Sequence, residues 1–165
     1  MPVDAAEEMG DFLVSLDEGL GIEVLGEDSQ ASRHVIVTAF SDPTKFSLVT
    51  RLVNALEVPG WSFEGLKPPR GFAFTIALDD VALDAKALKF CFDSASRSLL
   101  LTLPPHLMRA LPEDSRELAW LLVETGVGER LAAELESVSF AYPSDVPASS
   151  PIVELQHRLE FLARH

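Results

Sequence analysis

The sequence predicts an α+β protein, with helices packed on one face of a mostly antiparallel sheet. Three observations carry that reading. Apolar residues recur at helical spacing near the N-terminus, after Pro43, after Pro112 and at the C-terminus. Between these stretches lie short β-branched or alternating runs. Their order from His34 onward, β-α-β-β-β-β-α-β, is not the strict alternation of a doubly wound fold. A ferredoxin-like core with an added hairpin is one arrangement that satisfies it. The 165 residues, 47% hydrophobic and 24% charged, suffice to bury a core. The expected organisation is an acidic N-terminal helix and loop (1–32) packing on an α+β core (33–143), then a linker and short helix (144–165).

Taken in order, Ala5, Met9, Phe12, Leu13, Leu16 and Leu20 form one helical stripe. Asp4 with Glu7 marks its start, and Gly19 and Gly21 its end. A short strand follows at Ile22–Leu25, then a polar loop from Gly26 to Ser32. His34–Phe40 is apolar on both faces, as an interior strand requires. Ser41-Asp42-Pro43 starts a helix whose stripe is Phe46, Val49, Leu52, Val53 and Leu56, stopped by Pro59-Gly60. Gly60–Leu78 reads as two strands joined by a stiff turn, Lys67-Pro68-Pro69-Arg70-Gly71. Phe72, Phe74, Ile76 and Leu78 alternate there with Ala73, Thr75 and Ala77.

Asp79-Asp80 marks a turn before a brief strand at Val81–Leu83. Leu88–Phe92 and Arg97–Leu103 form a hairpin about Asp93–Ser96. Its alternation separates Leu88, Phe90, Phe92, Leu99, Leu101 and Leu103 from Lys89, Cys91, Ser98 and Thr102. Together with Ala73, Thr75 and Ala77, the latter set predicts a second sheet face of small and polar residues. Pro112–Ser115 opens a helix with Leu118, Leu121, Leu122 and Thr125 inward, broken by Gly126 and Gly128. Glu129–Glu136 continues as a helical turn or two. Val138–Tyr142 reads as the last strand, and Val153, Leu155, Leu159 and Leu162 as the docking stripe of a terminal helix.

Charge narrows the function classes. The net charge of -13 is uneven, with nine acids and no base in residues 1–32 but nine bases against seven acids in residues 33–109. No clustered basic face exists for a phosphate backbone, so neither nucleic acid nor an anionic membrane is an expected partner. No apolar run approaches the ~20 residues of a membrane span, and no secretory signal opens the chain. One cysteine makes no internal disulfide, and no Cys/His spacing suggests zinc. A cytoplasmic protein without cofactor or metal is the expectation.

The turn at Lys67 and Arg70 is the candidate ligand-binding site, since Arg can clamp an anion bidentately and Lys adds a point charge. Its competing reading is a proline-held turn with solvated cations. Cys91 would need a base to act as a nucleophile, and a lone strand cysteine is more often a small buried side chain. His34, His106, His157 and His165 show no ligand spacing. Asp79, Asp80 and Asp84 lack the alternation and glycine of a calcium loop. Glu64 and Glu129 have no evident partner carboxylate. Trp61, Phe63, Phe72 and Phe74 fit the buried face of a sheet better than a base-stacking platform.

The His34–Asp42 run, the Gly60-Trp61 strand running into Lys67-Pro68-Pro69-Arg70-Gly71, and Gly128-Glu129 resemble a family of uncharacterised bacterial cytoplasmic proteins. The likeness spans about residues 34 to 140. It implies a single α+β domain and brings no activity or site residues. The expected function is a non-catalytic interaction or regulatory module with a protein partner or a second copy. The alternatives are a domain gripping an anionic small molecule at Lys67 and Arg70, and an immunity or inhibitor protein.

Overall fold

The computed structural model describes residues 2–25, 33–78 and 81–164. The 26–32 loop, the Asp79-Asp80 turn and His165 lie outside the described residues. The fold is α+β, and the chain divides into two compact units, Met1–Lys67 and Pro68–His165. That boundary falls inside the 33–143 stretch expected to form one core. Among the described residues the strands form three sheets rather than one mostly antiparallel sheet.

In the first unit, helix α1 (Pro2–Leu16) precedes strands β1 (Gly21–Leu25) and β2 (Arg33–Thr38), helix α2 (Phe46–Ala55) and strand β3 (Trp61–Gly65). The sheet order is β1-β2-β3. β1 runs antiparallel to β2, and β2 parallel to β3. The parallel pair needs a crossover, which α2 supplies. As expected of an interior strand, Val35, Ile36 and Val37 of β2 are fully buried. Asp42 starts the α2 region by accepting from the Thr44 amide at 3.0 Å. Phe46, Leu48, Val49, Leu52 and Val53 then pack with Leu13, Leu20, Val37, Ala39 and Leu66. α1 ends where Asp17 accepts from Gly19 N–H and pairs with Lys45.

The predicted hairpin between Trp61 and Leu78 is not formed. β3 is paired with β2, whereas β4 (Thr75–Leu78) pairs antiparallel with β5 (Val81–Asp84). Pro68 and Pro69 have no N–H for a ladder. The next two amides are committed elsewhere: Arg70 N–H donates to Thr125 C=O at 3.0 Å and Gly71 N–H to Gly126 C=O at 2.9 Å.

The remaining elements are β6 (Lys89–Asp93), β7 (Ser98–Thr102), α3 (Pro105–Met108), α4 (Arg116–Val127), α5 (Glu129–Ala132), β8 (Ser137–Phe140), β9 (Ser150–Pro151) and α6 (Leu155–Ala163). Strands β8-β7-β6-β9 form a four-stranded sheet, with β7 and β8 parallel. The β6–β7 hairpin has the expected turn, where Asp93 accepts from Ser96 Oγ and Ala95 N–H. Leu88, Phe90, Leu99, Leu101 and Leu103 are buried together with Phe72, Leu83 and Ile152.

Four patterns differ from expectation. In α1, Leu13 is fully buried, but Phe12 and Leu16 of the same expected stripe are 51% and 50% exposed, so the helix docks through a narrower stripe. In α4 the buried residues are Ala119, Leu122, Val123, Glu124, Gly126 and Val127, while Leu121 is 44% exposed. Gly126 does not break the helix; the Phe72 ring lies against it, where any Cβ would collide. Near α6, Ile152 is buried and Val153 exposed, so the docking stripe begins one residue earlier. The expected face of small and polar residues is not continuous. Ala73 precedes β4, Thr75 and Ala77 belong to β4, Lys89, Cys91, Ser98 and Thr102 belong to the four-stranded sheet, and Thr102 is buried.

Two predictions follow from this packing. Gly126→Ala forces a methyl into the Phe72 ring and should destabilise by about 1–3 kcal/mol, despite better helix propensity. Gly10→Ala in α1 meets only Ile22, at 3.9 Å, and should be neutral or stabilising by up to ~1 kcal/mol. Urea unfolding of both variants distinguishes the signs. The Asp93 carboxyl is held below its usual range by the Ser96 hydroxyl, then by the Ala95 amide. Its contribution is therefore present above the unfolded value near about 3.9 and lost as pH falls through the lower folded value. Urea midpoints measured on the acid side should fall less steeply with pH in Asp93→Asn.

Candidate functional site

The two candidate site residues fall on either side of the unit boundary, Lys67 closing the first unit and Arg70 lying near the start of the second. Leu66, at φ 67, turns the chain as its N–H donates to Val37 C=O at 2.8 Å. The Lys67 ammonium then lies 5.7 Å from the centroid of the Phe40 ring, a cation–π contact. In the second unit, Arg70 is exposed, and its backbone N–H is committed to the end of a helix. Helix α4 ends with carbonyls that have no partner in the helix. Arg70 and Gly71 cap two of them, and Gly71 takes φ 69 to do so. Segment 68–71 is thus a strap across the C-terminus of α4.

The other candidates are dispersed. Cys91 is half-buried in β6, opposite Leu100. His106 and His157 are exposed. Glu129 is completely buried and Glu124 is 5% exposed, and neither lacks a partner. Asp84 caps the short turn after β5 through the Lys86 amide. The four aromatics do not share one sheet face. Trp61 and Phe63 stack in β3 at 6.3 Å, while Phe72 and Phe74 belong to the core of the second unit. Among the described residues no group of three His, Cys, Asp or Glu side chains could hold a metal ion. A cleft of about 190 Å³ in the second unit is lined by Lys89, Thr102, Leu103, Pro104, Pro143 and Ser149, with Ala87. It is smaller than the ~300–1,000 Å³ usual for ligand sites.

One constellation was not anticipated from the sequence. Register pairs His34 of β2 with Ser62 of β3 and Ile36 with Glu64. Side chains two apart on a strand share a face, so His34 meets both Ser62 and Glu64. Ser62 Oγ lies 2.9 Å from His34 Nδ1, and Glu64 Oε2 lies 3.0 Å from His34 Nε2. A carboxylate only accepts, so Glu64 keeps the imidazole proton on Nε2 and leaves the Nδ1 lone pair toward the serine hydroxyl. That is the order of groups that activates a serine in acyl transfer. The side chains are partly open to solvent, His34 at 37% and Glu64 at 43%. Twenty-eight residues separate His34 from Ser62. The one legible signal is Ser-x-Glu on a strand following a β-α unit that begins with histidine.

No family model matches this chain, and no curated protein or solved structure matches it either.

The strap makes a backbone prediction. Gly71→Ala leaves its surroundings uncrowded but places an L-residue in the left-handed region, which costs about 1–2 kcal/mol. Arg70→Ala keeps the N–H that caps Thr125 and removes only an exposed side chain's own contacts, so it should cost no more than about 1 kcal/mol. Chemical denaturation of the pair separates backbone capping from side-chain charge.

Proposed function

We propose that the protein is an interaction module of the bacterial cytoplasm, and that α1 receives a basic, amphipathic segment of a partner protein. The observation that carries this is the exposed side of α1. Phe12 and Leu16, four residues apart on one side of the helix, are 51% and 50% exposed. Leu13 on the neighbouring stripe is fully buried, so the helix is docked and these two residues border its contact. Glu7, Glu8, Asp11 and Glu18 are exposed along the same helix and just beyond it. Paired large apolar groups among carboxylates suit a helix with apolar anchors and a Lys/Arg rim. A second copy of α1 fits less well, because its acids would face like charge. The compartment and source rest on the sequence resemblance alone, and an immunity or inhibitor protein is one form such a module takes.

The test uses a synthetic helical peptide of leucine and lysine with an amphipathic pattern. Fluorescence titration of the full chain should show saturable binding that weakens about tenfold or more at high salt. Phe12→Ser with Leu16→Ser should weaken it by a similar factor while preserving the far-ultraviolet spectrum. Absence of binding, or binding indifferent to the double variant, overturns the reading. Preferential binding of anionic metabolites, lost with Lys67→Ala and Arg70→Ala, would instead support the small-molecule alternative.

A further inference from the structure

We infer that Ser62, His34 and Glu64 form an acyl-transfer site that takes small, activated esters. The serine is the nucleophile, the histidine its base, and the glutamate positions the imidazole. Several features converge on these three residues. Ser62 is exposed on β3, so its hydroxyl is open to a reactant. Its 2.9 Å contact with His34 Nδ1 is shorter than the 3.3 Å contact with Arg33 C=O, which favours the imidazole as the proton acceptor. The imidazole is itself gripped from its other side by Glu64. All three positions sit on strands rather than flexible loops, and the β2–β3 ladder fixes their spacing.

The same ladder offers a donor for developing charge. Bonds from Arg33 N–H to Gly60 C=O and from Leu66 N–H to Val37 C=O bracket β3 and set its alternation. Ser62 and Glu64 therefore direct their N–H groups toward β2. Phe63, between them, directs its N–H to the other edge of β3, which no described strand pairs. An ester carbonyl reaching over that edge meets the amide immediately after the nucleophile, a position suited to holding an oxyanion.

The step balances within the protein and an ester. Ser62 Oγ attacks the carbonyl carbon while its proton passes to His34 Nδ1. The carbonyl electron pair moves to oxygen, and Glu64 faces the resulting imidazolium. When the tetrahedral species collapses, the carbon–oxygen bond to the leaving alcohol breaks and the alcohol departs with the proton from Nδ1. Acyl-Ser62 remains. Water, deprotonated by the same nitrogen, then releases the carboxylic acid and restores the serine. The site is half-open, with no enclosing wall among its three side chains, so compact esters with good leaving groups are the substrate class. Bulky acyl chains gain no contact there.

The experiment incubates the full-length protein with p-nitrophenyl acetate. It follows nitrophenolate release and locates the acetyl group by peptide mass spectrometry. Acetylation of Ser62 is expected. It should be lost in Ser62→Ala and slowed about a hundredfold or more in His34→Ala, the scale of general-base assistance. Should His34→Ala fail to fold, His34→Gln keeps an amide donor for Glu64 while removing the base. Glu64→Gln should slow acetylation at an unchanged melting temperature, and Glu64→Asp should recover part of the rate, which a purely structural role would not produce. Acetyl groups found only on lysines, or Ser62 acetylated equally fast in a folded His34 variant, would overturn the assignment.

Discussion

The first unit depends on the position of β2 between an antiparallel and a parallel neighbour. A strand paired on both edges and apolar on both faces buries Val35, Ile36 and Val37 completely. Its pairing with β3 brings Leu66 back to Val37, closes the α2 crossover and sets Gly65 against Val49 and Val53. The same register places His34 between Ser62 and Glu64. A one-residue slip would send both β3 side chains to the opposite face. The His34, Ser62 and Glu64 constellation is therefore held by the same hydrogen bonds as the core of this unit.

The second unit has a different constraint. Its core gathers Phe72, the β6–β7 hairpin, α4 and the Ile152–Leu159 region. Close approach of Phe72 to α4 is possible because residue 126 has no side chain. The strap then satisfies carbonyls that the helix cannot, so hydrophobic contact and backbone capping act at the same turn.

Much of the fold was legible because local signals and tertiary structure agree. Asp42-Pro43 begins a helical segment, His34–Thr38 supplies an interior strand, and the alternation of Leu88–Leu103 gives the observed hairpin. The failures arose where local pattern was silent about partners. Trp61–Gly65 and Thr75–Leu78 each look like strands, and each is one, but nothing in either run says that they join different sheets. Gly126 carries the usual mark of a helix end, while its role is fixed by a ring more than fifty residues earlier. Leu121 has the right chemistry for a core and points outward because the small residues Ala119 and Gly126 let other elements approach the opposite stripe. At the site, His34 and Ser62 are ordinary strand residues until a parallel register makes them neighbours.

The strap also bears on how the second unit assembles. Arg70 and Gly71 meet Thr125 and Gly126 across a long loop of chain, so the entropy of closing that loop falls on the capping step. Helix α4 can propagate from its own local hydrogen bonds, but its final turn lacks external donors until this distant segment arrives. The last turn of α4 therefore depends on a non-local contact, while the turns before it depend on local ones. Two backbone amides beside a pair of prolines thus tie a helix end to a segment far away in the sequence.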